Sequence, residues 1–324
     1  MQRAIPAPDP QAYAAHRLHD AARSWPLSNC YIDLWIELLT TAGRPPEAML
    51  SFAVELDFEG DQFTFAKPGL DDLRRLYGVT VQELAVYDRI EAHLEIQIAR
   101  GRPCLVEVDS YFLPDTKGLS YRLEHGKTTV AVNALSAAGR RMEYFHNGGY
   151  HLLEGEDYDG LMAGYAHGDT PFLPYAEVVK FAAAPPPLAD LRDQAWGMLA
   201  GRLAHRPASC PISAFQAQLP QAAARAAARE PGYFHLYAFN TLRQLGADFE
   251  LLGDHLDWLD PGMEPLAGYA RAIAQSAKAA QFKLARACAK QKFDGLETSL
   301  DAAALAYGQL MAGLDARVRS VVPA

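Results

Sequence analysis

Cys30 stands directly before a long apolar run, YIDLWIELLTTAG, and directly after Asn29. Well downstream, His125 precedes the strand-like run KTTVAVNAL, and Asn147 follows the next apolar run. A cysteine, then a histidine, then a carboxamide are the parts of a thiol acyl-transfer site. The thiolate attacks a carbonyl, the imidazole moves protons, and a third group orients the ring. A helix N-terminus favours a thiolate through its unpaired N–H groups and its dipole. Each residue also has a plainer reading. Free cysteine is commonly a small buried hydrophobe, an isolated histidine is commonly solvated, and Asn-Gly-Gly is a turn signal. It is the three together, in this order, that point to Cys30 as nucleophile, His125 as base and Asn147 as orienter.

An oxyanion hole needs a backbone N–H at the nucleophile and a second donor. Asn29 and Ser28 are nearest in sequence, and either also suits a helix cap. Asp109 ends a β-rich run and is followed by Tyr111 and Pro114. A strand-end acid there suits a substrate amine or a partner arginine, so Asp109 and Tyr111 join the candidate substrate-binding residues. Metal chemistry has little support. His16, His19 and Asp20 have helical ligand spacing but lie in an N-terminus expected to be mobile. His146 and His151 flank a turn with no carboxylate at ligand spacing. No phosphate-binding glycine loop is present. No metal and no bound cofactor are expected.

The elements that position these residues follow from periodicity. Tyr31, Leu34, Trp35, Leu38 and Leu39 recur at helical spacing, with Gly43 as the stop. A short helix over 70–77 ends at Gly78. Asp88 and Glu91 have capping-box spacing, opening a helix that runs to Arg100 and stops at Gly101. Residues 104–109 read as a strand. Residues 127–135 and 140–146 read as a hairpin around 136–139. Residues 155–159 (GEDYD) resemble an acidic helix start more than a calcium loop. Helices mixed with a strand meander make an α+β fold.

The chain has 324 residues, half of them hydrophobic, enough for one large domain or two ordinary ones. Ala182–Pro187 is a proline-stiffened connector, so the expected domains are 1–184 and 185–324. Beyond it only helical patterns appear, over 236–259 (broken at Gly246 or Gly253), 266–293 and 302–322. A net charge of −9 argues against nucleic-acid binding. No signal peptide and no membrane-spanning run is apparent, and four widely spaced cysteines argue against a disulfide framework. The expected compartment is the cytoplasm. Residues 266–293 carry Arg271, Lys278, Lys283, Arg286, Lys290 and Lys292 without one acid. Lys283, Arg286 and Lys290 share a helical face. A solvated face is the plain reading, but six cations in an acidic protein suit docking of an acidic partner.

The blocks NCYIDLWIELL, FEGDQFTFAKP, VEVDSYFLPDT, EHGKTTVAV, YFHNGGY and FHLYAFNTLRQLGADFELL resemble a bacterial domain-of-unknown-function family. Its members occur beside genes for amino acid:carrier protein ligases and small carrier proteins. The N-terminal half is also similar, more faintly, to BtrH-like acyltransferases of papain-like fold. That likeness rests on Cys30 at a helix start, the D-x-Y-x-x-P block of Asp109, Tyr111 and Pro114, and His125 before a strand. BtrH-like sequences often place Asp where this chain has Asn147, which is papain's own choice.

The resulting expectation is a papain-like thiol domain followed by an all-helical domain. Cys30 would take an acyl or aminoacyl group from a carrier-protein phosphopantetheine thioester and pass it to an amine or alcohol acceptor. The phosphopantetheine arm is substrate, and Lys283, Arg286 and Lys290 would dock the acidic carrier. A cysteine hydrolase on the same triad and a non-catalytic carrier-binding scaffold are the alternatives.

Overall fold

The computed structural model describes residues 1–165, 174–182 and 184–321. It is α+β. Tertiary contacts divide it into two compact units.

The first unit comprises residues 1–20, 29–46 and 73–186. Its elements are α1 (Cys30–Thr41), α2 (Leu70–Tyr77, shared with the second unit), β1 (Thr80–Glu83) and α3 (Ile90–Ala99). Then come β2 (Cys104–Asp109), β3 (Lys127–Ser136), β4 (Arg141–His146), β5 (Gly149–Glu154), α4 (Gly155–Ala163) and β6 (Ala176–Lys180). The strands form one antiparallel sheet of order β1-β6-β2-β3-β4-β5. Side chains alternate between its faces. Val106, Val108, Val130, Val132 and Tyr144 meet Ile90, Leu94 and Ile98 of α3 and Tyr158 and Leu161 of α4 in one core. Leu105, Ala131 and Phe145 are therefore on the other face, where α1 lies over β3, β4 and β5. Ile32, Leu34, Trp35, Ile36, Leu38 and Leu39 of α1 are fully buried, as its nearly all-round apolarity requires.

Most local expectations match. α2 stops at Gly78, whose φ of +64° needs a residue without a Cβ. The β3–β4 hairpin is where the pattern placed it. The capping box before α3 is not formed. Arg89 takes the N-cap position without a side-chain cap bond, while Asp88 accepts from Arg89 N–H and Glu91 pairs with the Arg89 side chain. The register is shifted by one residue, so the box's reciprocal bonds cannot close.

The second unit comprises 21–28, 47–72 and the described residues from 187 onward. It holds α5 (Leu188–His205), α6 (Pro211–Ala227), α7 (Pro231–Ala238), α8 (Gln244–Leu259), α9 (Glu264–Lys290) and α10 (Asp301–Val321). Between α7 and α8 lies a π turn, Phe239–Arg243, so the break expected at a glycine falls earlier. Gly246 has another role. A Cβ there would sit 2.3 Å from Trp25 Nε1, and Trp25 fills that space while donating to Ala274 O at 3.0 Å. No described helix is long and apolar enough to cross a membrane.

Candidate active site

Asp109 ends β2 opposite Lys127, the first residue of β3. That register sets its carboxylate beside the loop that enters β3. Oδ1 accepts from Tyr111 N–H at 3.0 Å and Gly126 N–H at 3.1 Å, and Oδ2 meets His125 Nδ1 at 2.6 Å. Burial pushes the Asp109 carboxyl up, but the bonds from His125 and the two backbone amides outweigh it and hold it below the usual carboxylate value. A carboxylate at Nδ1 assigns the proton to that nitrogen in the neutral ring and leaves Nε2 as acceptor. The Tyr111 ring stacks on the imidazole, centroids 4.3 Å apart and planes 12° apart.

The loop is fixed from several sides. Thr116 Oγ1 donates to Ser110 O and Leu113 O. Tyr121 and Arg122 both bond Asp157 of α4. Gly160 of α4 admits Phe112, whose ring would lie 2.2 Å from a Cβ there. His125 itself remains 71% exposed and opens on a cleft of about 880 Å³. Leu84, Val86, Val108, Tyr165 and Tyr175 give the cleft apolar walls, and Lys127 and Glu107, which also line it, pair at 2.8 Å.

Cys30 is half-buried at the first position of α1. Asn29 is the N-cap, its Oδ1 accepting from Tyr31 N–H at 3.1 Å and Ile32 N–H at 3.0 Å. The oxygen of Asn29 thus serves the helix. The helix start is tied to the cleft wall next door, since Tyr31 Oη donates to Glu177 Oε2 at 3.3 Å and Tyr175 Oη to Glu177 Oε1 at 2.9 Å. Cys30 does not line the cleft, and no hydrogen bond joins it to His125.

Asn147 does not orient His125. It occupies the two-residue turn between β4 and β5 with φ +49°, a conformation asparagine tolerates, and its Nδ2 lies 3.3 Å from His146 Nδ1. Antiparallel register is the reason. The histidine that faces the Asn147 turn is the adjacent His146, and the carboxylate beside His125 comes from β2.

His146 builds a second cluster. Nδ1 meets Asp115 Oδ2 at 2.6 Å, Nε2 meets the Thr128 hydroxyl at 2.8 Å, and Tyr144 Oη donates to Asp115 Oδ1 at 2.6 Å. Burial raises Asp115, but His146, His151 and Tyr144 together hold it below its ordinary value. The spacing around His146 and His151 showed no carboxylate, because Asp115 arrives from 31 residues away. The N-terminal segment packs on α1 at His19. Its ring lies between Glu37 Oε1 at 2.5 Å and Asp33 Oδ1 at 3.4 Å of α1. Burial lowers the imidazole, the two carboxylates overcome it, and the result is about 9. No group of metal ligands occurs among the described residues.

Of the other cysteines, burial drives the Cys104 thiol up to about 12 and raises Cys288. On α9, Arg271 pairs with Asp257, and Lys278 lies 4.2 Å over the Trp25 ring. Lys283, Arg286 and Lys290 come together with Lys292 around a hollow of about 240 Å³.

A search of curated proteins finds no match to the chain. The DUF1839 N-terminal domain matches residues 14–181, across the sheet, α1 and the His125 cleft, and the DUF1839 C-terminal domain matches residues 189–316. The chain therefore belongs to the DUF1839 family.

Proposed function

We propose that the protein is an acyl or aminoacyl transferase with a papain-like thiol site, supplied by a carrier-protein phosphopantetheine thioester and delivering to an amine or alcohol. The observation that carries this reading is the His125–Asp109 pair, closed at 2.6 Å on one side and open to a large cleft on the other. That is the arrangement of a histidine base with its orienter. The substrate class is the one implied by the resemblance of the N-terminal blocks to BtrH-like acyltransferases.

In this reading Cys30 gives its thiol proton to His125 Nε2 and its Sγ attacks the thioester carbonyl. The C–S bond to pantetheine breaks, and the departing thiolate takes a proton from His125 Nε2. The acceptor's N–H or O–H proton then passes to Nε2 as its heavy atom attacks the Cys30 thioester, and Cys30 leaves as thiolate. Asp109 holds the ring in the tautomer both steps need. Exchange between thioesters is nearly balanced in energy, so positioning dominates. Catalytic contacts in empty sites are often long and close only around substrate.

A second reading is favoured by one observation, the absence of Cys30 from the cleft wall. His125 would then deprotonate the acceptor for direct attack on the carrier thioester, with no acyl-enzyme. Intact mass after incubation with an aminoacylated carrier, without acceptor, separates the two. The thiol route predicts an adduct of one acyl group that is lost in Cys30→Ala and formed slowly in His125→Ala. Direct transfer predicts no adduct, with turnover to acceptor that ignores Cys30→Ala and needs His125. Free amino acid without acceptor indicates a hydrolase. Binding without any of these indicates a scaffold and overturns the enzyme reading.

A further inference from the structure

Four cations at and just beyond the end of α9 have no ionic partner among the described residues. Lys283, Arg286, Lys290 and Lys292 are exposed and form no ion pair there, although Arg271 of the same helix does. They surround one hollow of about 240 Å³ whose floor includes Ala287 and the buried Leu296. Asp294 is the one acid on its rim.

Folding gives little reason for this arrangement. Lys283 with Arg286 and Arg286 with Lys290 are like-charge neighbours at helical spacings of three and four, each costing about 0.2–0.5 kcal/mol. Lys290 can offset the partial negative charge at the helix C-terminus, and Lys292 lies just past the cap residue Gln291. That effect fades within the last turn, so it does not account for Lys283, which lies seven residues before the helix end at Lys290.

We infer that this hollow is a binding site for a phosphoryl group. Its volume is below the ~300 Å³ at which whole small-molecule sites begin, so it suits one charged group of a larger ligand. Arg286 supplies a planar fork that matches phosphate bidentately, and the three lysines add point charges. A free phosphate and the phosphoryl group of a pantetheine arm share this chemistry. The inference stands apart from the acyl-transfer reading and survives its failure.

The test is titration calorimetry of the full chain with inorganic pyrophosphate and, separately, with 4′-phosphopantetheine, at low and moderate salt. Binding of either probe should weaken with salt and fall about tenfold or more in Lys283→Glu/Arg286→Glu, the loss expected from removing charge-assisted bonds. Lys283→Gln/Arg286→Gln should fall less, in an otherwise unchanged fold by circular dichroism. Tighter binding of 4′-phosphopantetheine than of pyrophosphate assigns the site to a carrier arm, and the reverse assigns it to a free phosphate. No binding of either probe by the wild type, or equal affinity in the charge-reversed variant, overturns the site.

Discussion

His125 and His146 each hold an aspartate at Nδ1 at 2.6 Å, and they differ in what the other nitrogen meets. His146 is 2% exposed, and its Nε2 is taken by the Thr128 hydroxyl. His125 is largely exposed and lines a cleft, and its Nε2 meets no protein partner among the described residues. Thr128, His146 and Asp115 repeat the hydroxyl–imidazole–carboxylate order of a hydrolytic triad, yet they lie inside the sheet's core layer. A histidine–aspartate pair is thus no mark of catalysis by itself.

The sharpest way to break this contrast is to remove each aspartate and measure unfolding. Asp115→Asn leaves His146 and Tyr144 buried against a weaker partner, and a loss of about 3 kcal/mol or more is expected in urea unfolding. Asp109→Asn, at an exposed pair, should stay within about 1 kcal/mol. Equal losses would erase the distinction between a structural and an accessible pair.

A third pair, His19 with Glu37 and Asp33, extends the comparison to pH. Its folded value of about 9 lies above the ordinary histidine value of 6.5. The stabilisation is therefore fully present below pH 6.5 and is lost as pH rises through 9. On the order of 3 kcal/mol is at stake. Unfolding of the wild type at pH 6 and pH 10 should show that loss, and His19→Ala should flatten it. An unchanged pH slope in His19→Ala would place the linkage elsewhere.

A smaller effect concerns thiols. Brief iodoacetamide labelling with peptide mapping should mark Cys30 at least about ten times faster than Cys104, whose thiol is buried and raised to about 12. Comparable rates would remove the support for Cys30 as nucleophile.

Local patterns foretold much of this molecule. The apolar run after Cys30, the strand 104–109, the hairpin about 136–139 and the stop at Gly78 are all set by residues close in sequence. What sequence missed is non-local. β1 and β6 are short, and β6 inserts between β1 and β2. The connector at 182–187 is visible, but residues 21–28 and 47–72 join the helical unit through contacts such as Trp25 with Ala274 and Arg202 with Glu55. At the site, Cys30, His125, Asp109 and Tyr111 were named from sequence. The pairing of His125 with Asp109 was not, because it depends on which residues of β2 and β3 lie opposite. Asp109, expected as a substrate contact, is bonded to His125, and Asn147, expected as orienter, lies beside His146.

In the proposed mechanism Asp109, and not Asn147, sets the working state of His125. Single-turnover transfer from an aminoacylated carrier, with saturating amine, measures it directly in Asp109→Asn and Asn147→Ala. Asp109→Asn should slow the step about a hundredfold or more, within the range that general acid–base catalysis contributes, while Asn147→Ala stays within about threefold of wild type. The reverse ranking, or an Asp109→Asn enzyme as fast as wild type, would contradict the account.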